Sequence, residues 1–453
     1  MPINRRDFIK AAAGAGGALV LGQQAAKAGI LLPPTPKVAV PSALPYPAES
    51  GIEHVVVIMM ENRSTDHLLG WHPNADVRQH QTFLDNHGVA HDTHDLGTTY
   101  MGCGFDDPDH GYAGGRTHVN GGAMDGFLKT APDGDTFPIG YYGESARPFY
   151  NSLARNFTVL DKYFCSTLTS TFPNRVFLHA AATDRMTNTF TQSVLPTIWD
   201  RIAETGGEVT GGYYFQDLPT LGLWGEKHLA ISHHIERFFV DAAAGQLPNV
   251  AFVDPRALEE GNTGSSGDDH PHADLRVGEY FMQQIFQAVA QSPAWEHTVF
   301  IITYDEWGGF FDHVPPPRAA DASSGLEPAD QLVDGKALLG IRVPVIVASP
   351  FSKGDPNNPR VNSGVYDHSS ILKLIEWRWG FKPLSARDAS TDVNNLADAL
   401  DLTNPPDPTL PTLGTAPFVV PTPCNPVVPE GDWVDFANSG LLDAWQLPAL
   451  TRR

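Results

Sequence analysis

Residues 55–60, VVVIMM, are apolar at every position and begin with β-branched side chains, the pattern of a strand buried on both faces. Similar runs at 209–215, 250–253, 299–303 and 343–348 predict further strands. Segments 193–205, 275–290 and 369–378 carry helical patterning between them. This alternation predicts a layered α/β domain, a central and mostly parallel sheet sandwiched by helices. A closed barrel would need eight comparable strand–helix units, which the chain does not display.

Two stretches break the pattern. Residues 70 to about 150 are rich in Gly, His, Asp and Tyr with few sustained apolar runs, and 315–338 opens on three prolines. Both predict long loop insertions with short helices over the strand ends, the edge where open α/β sheets bind ligands. Beyond Asn404 the chain is Pro-rich and irregular, with Trp433, Phe436 and Trp445 as its candidate anchors to the main body.

The N-terminus is of another kind. Arg5-Arg6 precedes Phe8-Ile9-Lys10, an apolar stretch from Ala11 to Leu21 and the small-x-small triplet Ala26-Lys27-Ala28. That stretch is too short to span a bilayer and resembles a twin-arginine export signal. The expected division is a signal peptide at 1–29, an extended arm at 30–50, a catalytic domain at 51–403 and a tail packed on it at 404–453. The expected partners are therefore the twin-arginine export machinery and a small substrate, with no stable membrane span.

Charge narrows the substrate. The chain carries a formal net charge of −22, and the signal contributes four basic residues and one acid, so the mature protein lies near −25. Such a protein is a poor ligand for nucleic acid or an anionic membrane surface. Cys103, Cys165 and Cys424 cannot make a disulfide framework. One bridge and a spare thiol suit an exported protein, and the spacing is not that of a structural zinc site.

Candidate chemistry sits at strand ends. Glu61-Asn62 follows the first strand and Asp305-Glu306 follows the run at 299–303, with Gly308-Gly309 and Asp312-His313 beyond. A turn or helix cap would account for either group alone. Adjacent carboxylates repel unless a cation offsets them, and carboxylate and amide oxygens suit a hard or borderline divalent metal. Thr171, in STFPNR, stands at a helix start marked by Pro173, where it is either an N-cap or a nucleophile whose phosphate would lie against the first helical amides. Ser166, Thr167, Thr169 and Ser170 are rival hydroxyls. For a proton donor to the leaving oxygen the candidates, in order, are His270, His118 and His313. Asp367-His368 reads either as part of the pocket or, through Asp367, as a cap for the following helix, with His368 not a ligand.

ENRS, TFPNR, DDHPHAD, YDEWGGFFDHVPPP and YDHSSILKLIE occur in this order between residues 52 and 376. Together they resemble the bacterial phosphoesterase family that contains phosphatidylcholine phospholipases C and a respiratory-burst-inhibiting acid phosphatase. The resemblance implies an alkaline phosphatase-like fold and one divalent ion (Ca, Zn, Mn or Mg) held by Glu61, Asn62, Thr171, Asp305 and Glu306. It also implies that Thr171 is the nucleophile, selected over its neighbours by the PNR that follows, with His118, His270 and His313 in or near the site. The expected reaction is phospholipase C-like cleavage of a phosphodiester, phosphatidylcholine or a related lipid, through phosphothreonine. Acid phosphatase activity is the alternative within the family, and a noncatalytic metal-binding surface protein is the alternative outside it. No C-x-P-x-R or S-x-P-x-R motif supports a sulfatase. Tyr141-Tyr142, Phe149-Tyr150, Trp307 and Phe310-Phe311 would furnish either an apolar approach for a lipid or ordinary core packing.

Overall fold

A computed structural model of the chain describes residues 44–426, 431–445 and 447. The signal segment and the arm up to residue 43 lie outside the described residues. Eight strands make the central sheet: β1 His54–Met60, β2 Thr158–Leu160, β3 Gly211–Phe215, β4 Ser232–His234, β5 Val250–Asp254, β6 Thr298–Tyr304, β7 Ile346–Ala348 and β8 Val361–Asn362. Their spatial order is β8-β2-β7-β6-β1-β5-β3-β4. Only β7 is reversed, antiparallel to both β2 and β6, so the sheet is mixed but mostly parallel.

All five strands legible in the sequence are present. The run at 343–348 shortens to β7 because Pro344 has no N–H to give to a ladder. The strands that pattern does not reveal, β2, β4 and β8, span three residues or fewer, too short to show a period.

Helices flank the sheet in two groups. Helices α1 Pro148–Asn156 and α3 Ile235–Ala243 both pack on α4 Leu275–Ala290, while α2 Thr171–Ala180 packs on α5 His368–Trp379. Asp274 caps α4 by accepting from the Arg276 amide, and Asp367 caps α5 in a reciprocal box with Ser370, one of the two roles open to it. The expected helix at 193–205 contracts to Ile198–Ala203, since Thr197 and Asp200 form a capping box that starts it late. No helix among the described residues is long and apolar enough to cross a membrane.

The central pair of strands positions the site. β1 and β6 are parallel neighbours in full register, Met60 beside Tyr304, so the residues that follow them emerge side by side. The 70–150 excursion folds into small two-stranded ladders and the helix Tyr112–Val119. The tail returns to the body through a disulfide between Cys103 and Cys424, which settles a pairing that spacing left open, and Cys165 is buried and free. Beyond it, Trp433, Phe436 and Trp445 are all buried in the main core.

Candidate active site

Glu61, Asn62, Asp305 and Glu306 meet at the ends of β1 and β6, and all four are buried. The Asp305 carboxylate accepts the amides of Asn62 (3.1 Å) and Glu306 (2.7 Å), which locks the two strand ends together. Arg175 donates to Asp305 Oδ2 at 3.1 Å and to Glu61 Oε2 at 3.3 Å. One guanidinium thus pairs with two of the three buried acids, Glu61 and Asp305, and the deficit shows in the titration of all three. Burial, opposed by Arg175 and reinforced by Asp305, pushes Glu61 up to about 7. Burial also raises Asp305, and it raises Glu306 well above the carboxylate range.

The same cluster contains polar atoms that nothing engages. Asn62 Oδ1, Asn62 Nδ2 and Glu306 Oε1 are buried and have no hydrogen-bond partner among the described residues. Such orphans are costly in a native protein unless a ligand completes them. Asn62 also holds a left-handed backbone (φ 58°), and a Cβ on Gly308 (φ +61°) would stand 2.1 Å from the Asn62 carbonyl oxygen. The turn after β6 can close over Asn62 only because residue 308 is glycine. Excess carboxylate, a free amide oxygen and a free carboxylate oxygen are a donor set that fits a hard divalent cation.

Thr171 is the first residue of α2, with Ser170 in the cap position. Its hydroxyl donates to Glu61 Oε1 at 3.3 Å. Three of the four rivals are spent elsewhere: Ser166 on Asp367, Thr169 on the Met186 carbonyl and Ser170 on Asn188. The PNR motif gains a physical reading here. Asn174 donates to the carbonyls of Thr167, Thr169 and Ser170 and so shapes the turn that delivers Thr171, while Arg175 is the cation among the acids. Of the first helical amides, that of Phe172 is given to Asn188 Oδ1 and Pro173 has none, so neither of these two positions has an N–H to offer a phosphate.

Two histidines flank the acids. His270 Nδ1 lies 2.8 Å from Glu260 Oε2, and its Nε2 lies 3.6 Å from Asp107 Oδ2. Burial alone would strip its proton, but Glu260, Asp107 and Glu61 outweigh burial and hold its pKa well above the ordinary imidazole value. His110 is the residue that sequence reasoning passed over. Burial lowers its pKa, yet Glu306 and Asp107 prevail and raise it to about 9. The acid-rich run DDPDH ending at His110 was the available signal.

His118 and His313 are not brought to the acids in this way. Trp307 donates to His118 Nδ1 at 3.2 Å and Thr130 takes its Nε2 at 2.8 Å, while burial drives its pKa down to about 3. Both of its ring nitrogens are thus engaged by side chains outside the acid cluster. His313 is spent on Asp66 (2.7 Å) and Asp76 (3.1 Å). His368 donates to the Asp305 carbonyl at 2.7 Å and braces the strand end.

Two other groups, Glu260 with His270 and His272, and Asp66 with Asp312 and His313, hold ligand atoms within 4.8 Å of one another and could coordinate a divalent metal. In the second, Arg342 already bonds Asp312 at 2.9 Å and Asp66 at 3.2 Å, so a guanidinium supplies the cation. Of the aromatics open to either a lipid approach or core packing, Tyr142, Phe149, Tyr150, Trp307, Phe310 and Phe311 are buried core, and Tyr141 is partly buried against it.

Comparison with known proteins bears on this arrangement. The sequence pattern of the Phosphoesterase family matches residues 52–382, and that of the twin-arginine translocation signal matches residues 2–22, which assigns the protein to export into the periplasm or beyond. Phospholipase C A of Mycobacterium tuberculosis is 30% identical over 483 positions, covering 91% of this chain and 88% of its own. Non-specific phospholipase C6 of Arabidopsis thaliana is 32% identical over 362 positions, covering 72% and 68%. A solved protein of the alkaline phosphatase superfamily from Vibrio parahaemolyticus aligns over 76% of this chain at 7% identity, but its TM-score of 0.35 is too low to support any argument.

Proposed function

Because the chain belongs to the Phosphoesterase family, and is thus an exported hydrolase of phosphoric esters, we propose that it cleaves a phosphodiester of the phospholipid type by double displacement at Thr171. The observation that carries the reading is that Thr171 alone, of five clustered hydroxyls, is turned onto Glu61 beside the unengaged oxygens of Asn62 and Glu306. Relatives named phospholipase C in a bacterium and a plant favour the diester over the monoester.

Glu61, Asn62, Asp305, Glu306 and Thr171 would hold the ion. When bound, a divalent ion lowers the hydroxyl pKa of Thr171 and offsets the charge of the phosphate. Ionised Thr171 Oγ1 forms a bond to phosphorus as the bond from phosphorus to the departing alcohol breaks. His270, charged at neutral pH by its acidic neighbours, gives its proton to that alcohol oxygen. In the second half His270 takes a proton from the water that attacks phosphothreonine, and Thr171 Oγ1 is released as it began. Arg175 holds Glu61 and Asp305 in place throughout, and Glu260 and Asp107 keep His270 oriented and charged.

The test is hydrolysis by the purified mature protein of phosphatidylcholine, a soluble phosphodiester and a phosphomonoester, each with Ca, Mn, Zn or Mg. Diester cleavage with a burst of alcohol release is expected. Thr171→Ala should lower turnover by about 10⁴-fold or more, the scale seen when a covalent nucleophile is removed. Undiminished turnover in that variant would remove Thr171 from the mechanism, and release from the monoester alone would move the enzyme to the phosphatases.

A further inference from the structure

The C-terminal segment enters the site and plays no part in the scheme above. Trp433, on the short helix Asp432–Asn438, donates its indole N–H to Glu61 Oε2 at 2.7 Å. Its ring lies 4.9 Å from the Arg175 guanidinium and 4.9 Å from the ring of Phe172, the residue after Thr171. Asp432 accepts from Asn188, the same side chain that takes the Ser170 hydroxyl and the Phe172 amide. Upstream, Cys424 is bridged to Cys103, and its amide donates to the Gly261 carbonyl at 3.0 Å. Cys103 shortly precedes Asp107, and Gly261 adjoins Glu260, the two acids that flank His270.

The division of labour on Glu61 gives this strap its meaning. Oε2 is taken by Trp433 and, at a longer 3.3 Å, by Arg175, while Oε1 is turned to Thr171. A buried carboxylate pinned through one oxygen presents the other in one direction. Pinned by Arg175 alone, it is free to rotate about its last bond or to close on the guanidinium with both oxygens.

We infer that Trp433 is a positioning residue for Glu61, and that the C-terminal strap, fastened at Cys103–Cys424, completes the metal-holding face of the site. The inference rests on the proposed reading of Glu61 as a ligand. Loss of a partner that orients a metal ligand typically costs about 10- to 100-fold in affinity or activity.

The experiment uses the full mature chain as wild type, Trp433→Phe, Trp433→Ala and Cys424→Ser. Mn²⁺ and Ca²⁺ are titrated into each by calorimetry, alongside melting temperature and kcat and KM on a soluble phosphodiester. Trp433→Phe keeps the aromatic stack but lacks the N–H. It should melt close to wild type, bind the ion about 10- to 100-fold more weakly and lose kcat with little change in KM. Cys424→Ser should weaken ion binding in the same direction. A merely structural tryptophan would move the melting temperature and leave the affinity alone, so Trp433→Phe with wild-type ion affinity overturns this inference, even if Trp433→Ala fails to fold. Absence of ion binding in the wild type would instead overturn the proposed metal site, and this inference with it.

Discussion

Asn62 is the residue whose contacts least explain its presence. It is fully buried, holds a positive φ and leaves both polar atoms of its side chain unengaged. A side chain that contributes no hydrogen bond and carries a desolvation cost is a liability to the fold alone. Asn62→Gly keeps the backbone conformation and removes no bond, so its melting temperature should stay within a few degrees of wild type. If Asn62 is a ligand, the same variant weakens divalent-ion binding by about tenfold or more, since even changes beyond the ligands cost that much. Calorimetric titration beside a thermal melt separates the two quantities. Unchanged affinity would return Asn62 to a backbone role.

The elements that bear the site are held by buried polar anchors rather than by propensity. The start of α5 is the clearest instance: Asp367 accepts the Ser369 amide at 2.9 Å and pairs with the buried Arg387 at 2.7 Å. From that helix His368 reaches the Asp305 carbonyl, so the anchor also fixes the end of β6. Asp367→Ala removes a helix cap worth about 1 kcal/mol and strands a buried guanidinium, a loss of about 3–5 kcal/mol in comparable cases. Urea unfolding should show a fall of that order, and Asp367→Asn, which keeps a capping oxygen, a smaller one. Equal losses in both variants would mean that the Arg387 pair, not the cap, holds the helix. The cap was one of the two roles open to Asp367 from the sequence, because a cap is a local event, read from the residues beside it.

At the level of the whole molecule, folding gathers more acid than it neutralises. Glu61 is pushed up to about 7 by burial, against Arg175, and burial likewise raises Asp305, Glu306 and Asp268. Across the range between the ordinary carboxylate value and about 7, the ion-free native state thus holds protons that the unfolded chain has released. Its stability falls as pH rises through that window, and it is fully present only below it. A divalent ion that binds the ionised acids reverses the loss, so the gain in melting temperature on adding Mn²⁺ or Ca²⁺ to chelator-treated protein should be larger at pH 8 than at pH 5. Equal gains at both values would show that the acids do not meet the ion. Much of this architecture was visible along the chain, since Val55–Met60 and the run before Asp305 announce buried strands by composition alone. Thr171 stood out only through resemblance; its rivals are chemically alike, and setting aside Ser166, Thr169 and Ser170 needed the hydrogen bonds that occupy them. His270 could be ranked ahead of His118 and His313 but not separated from them, because a histidine's proton depends on its neighbours, and His110 went unseen for the same reason. The amino-acid sequence by itself determined the five longer strands, the acids and amide that end β1 and β6 and the capping role open to Asp367, because each depends on side chains within a few positions. Only the tertiary structure decided that β1 lies against β6, that Arg175 rather than another cation faces the acids and that Trp433 arrives from 372 positions away, because pairing and burial are settled by contacts that close across the chain.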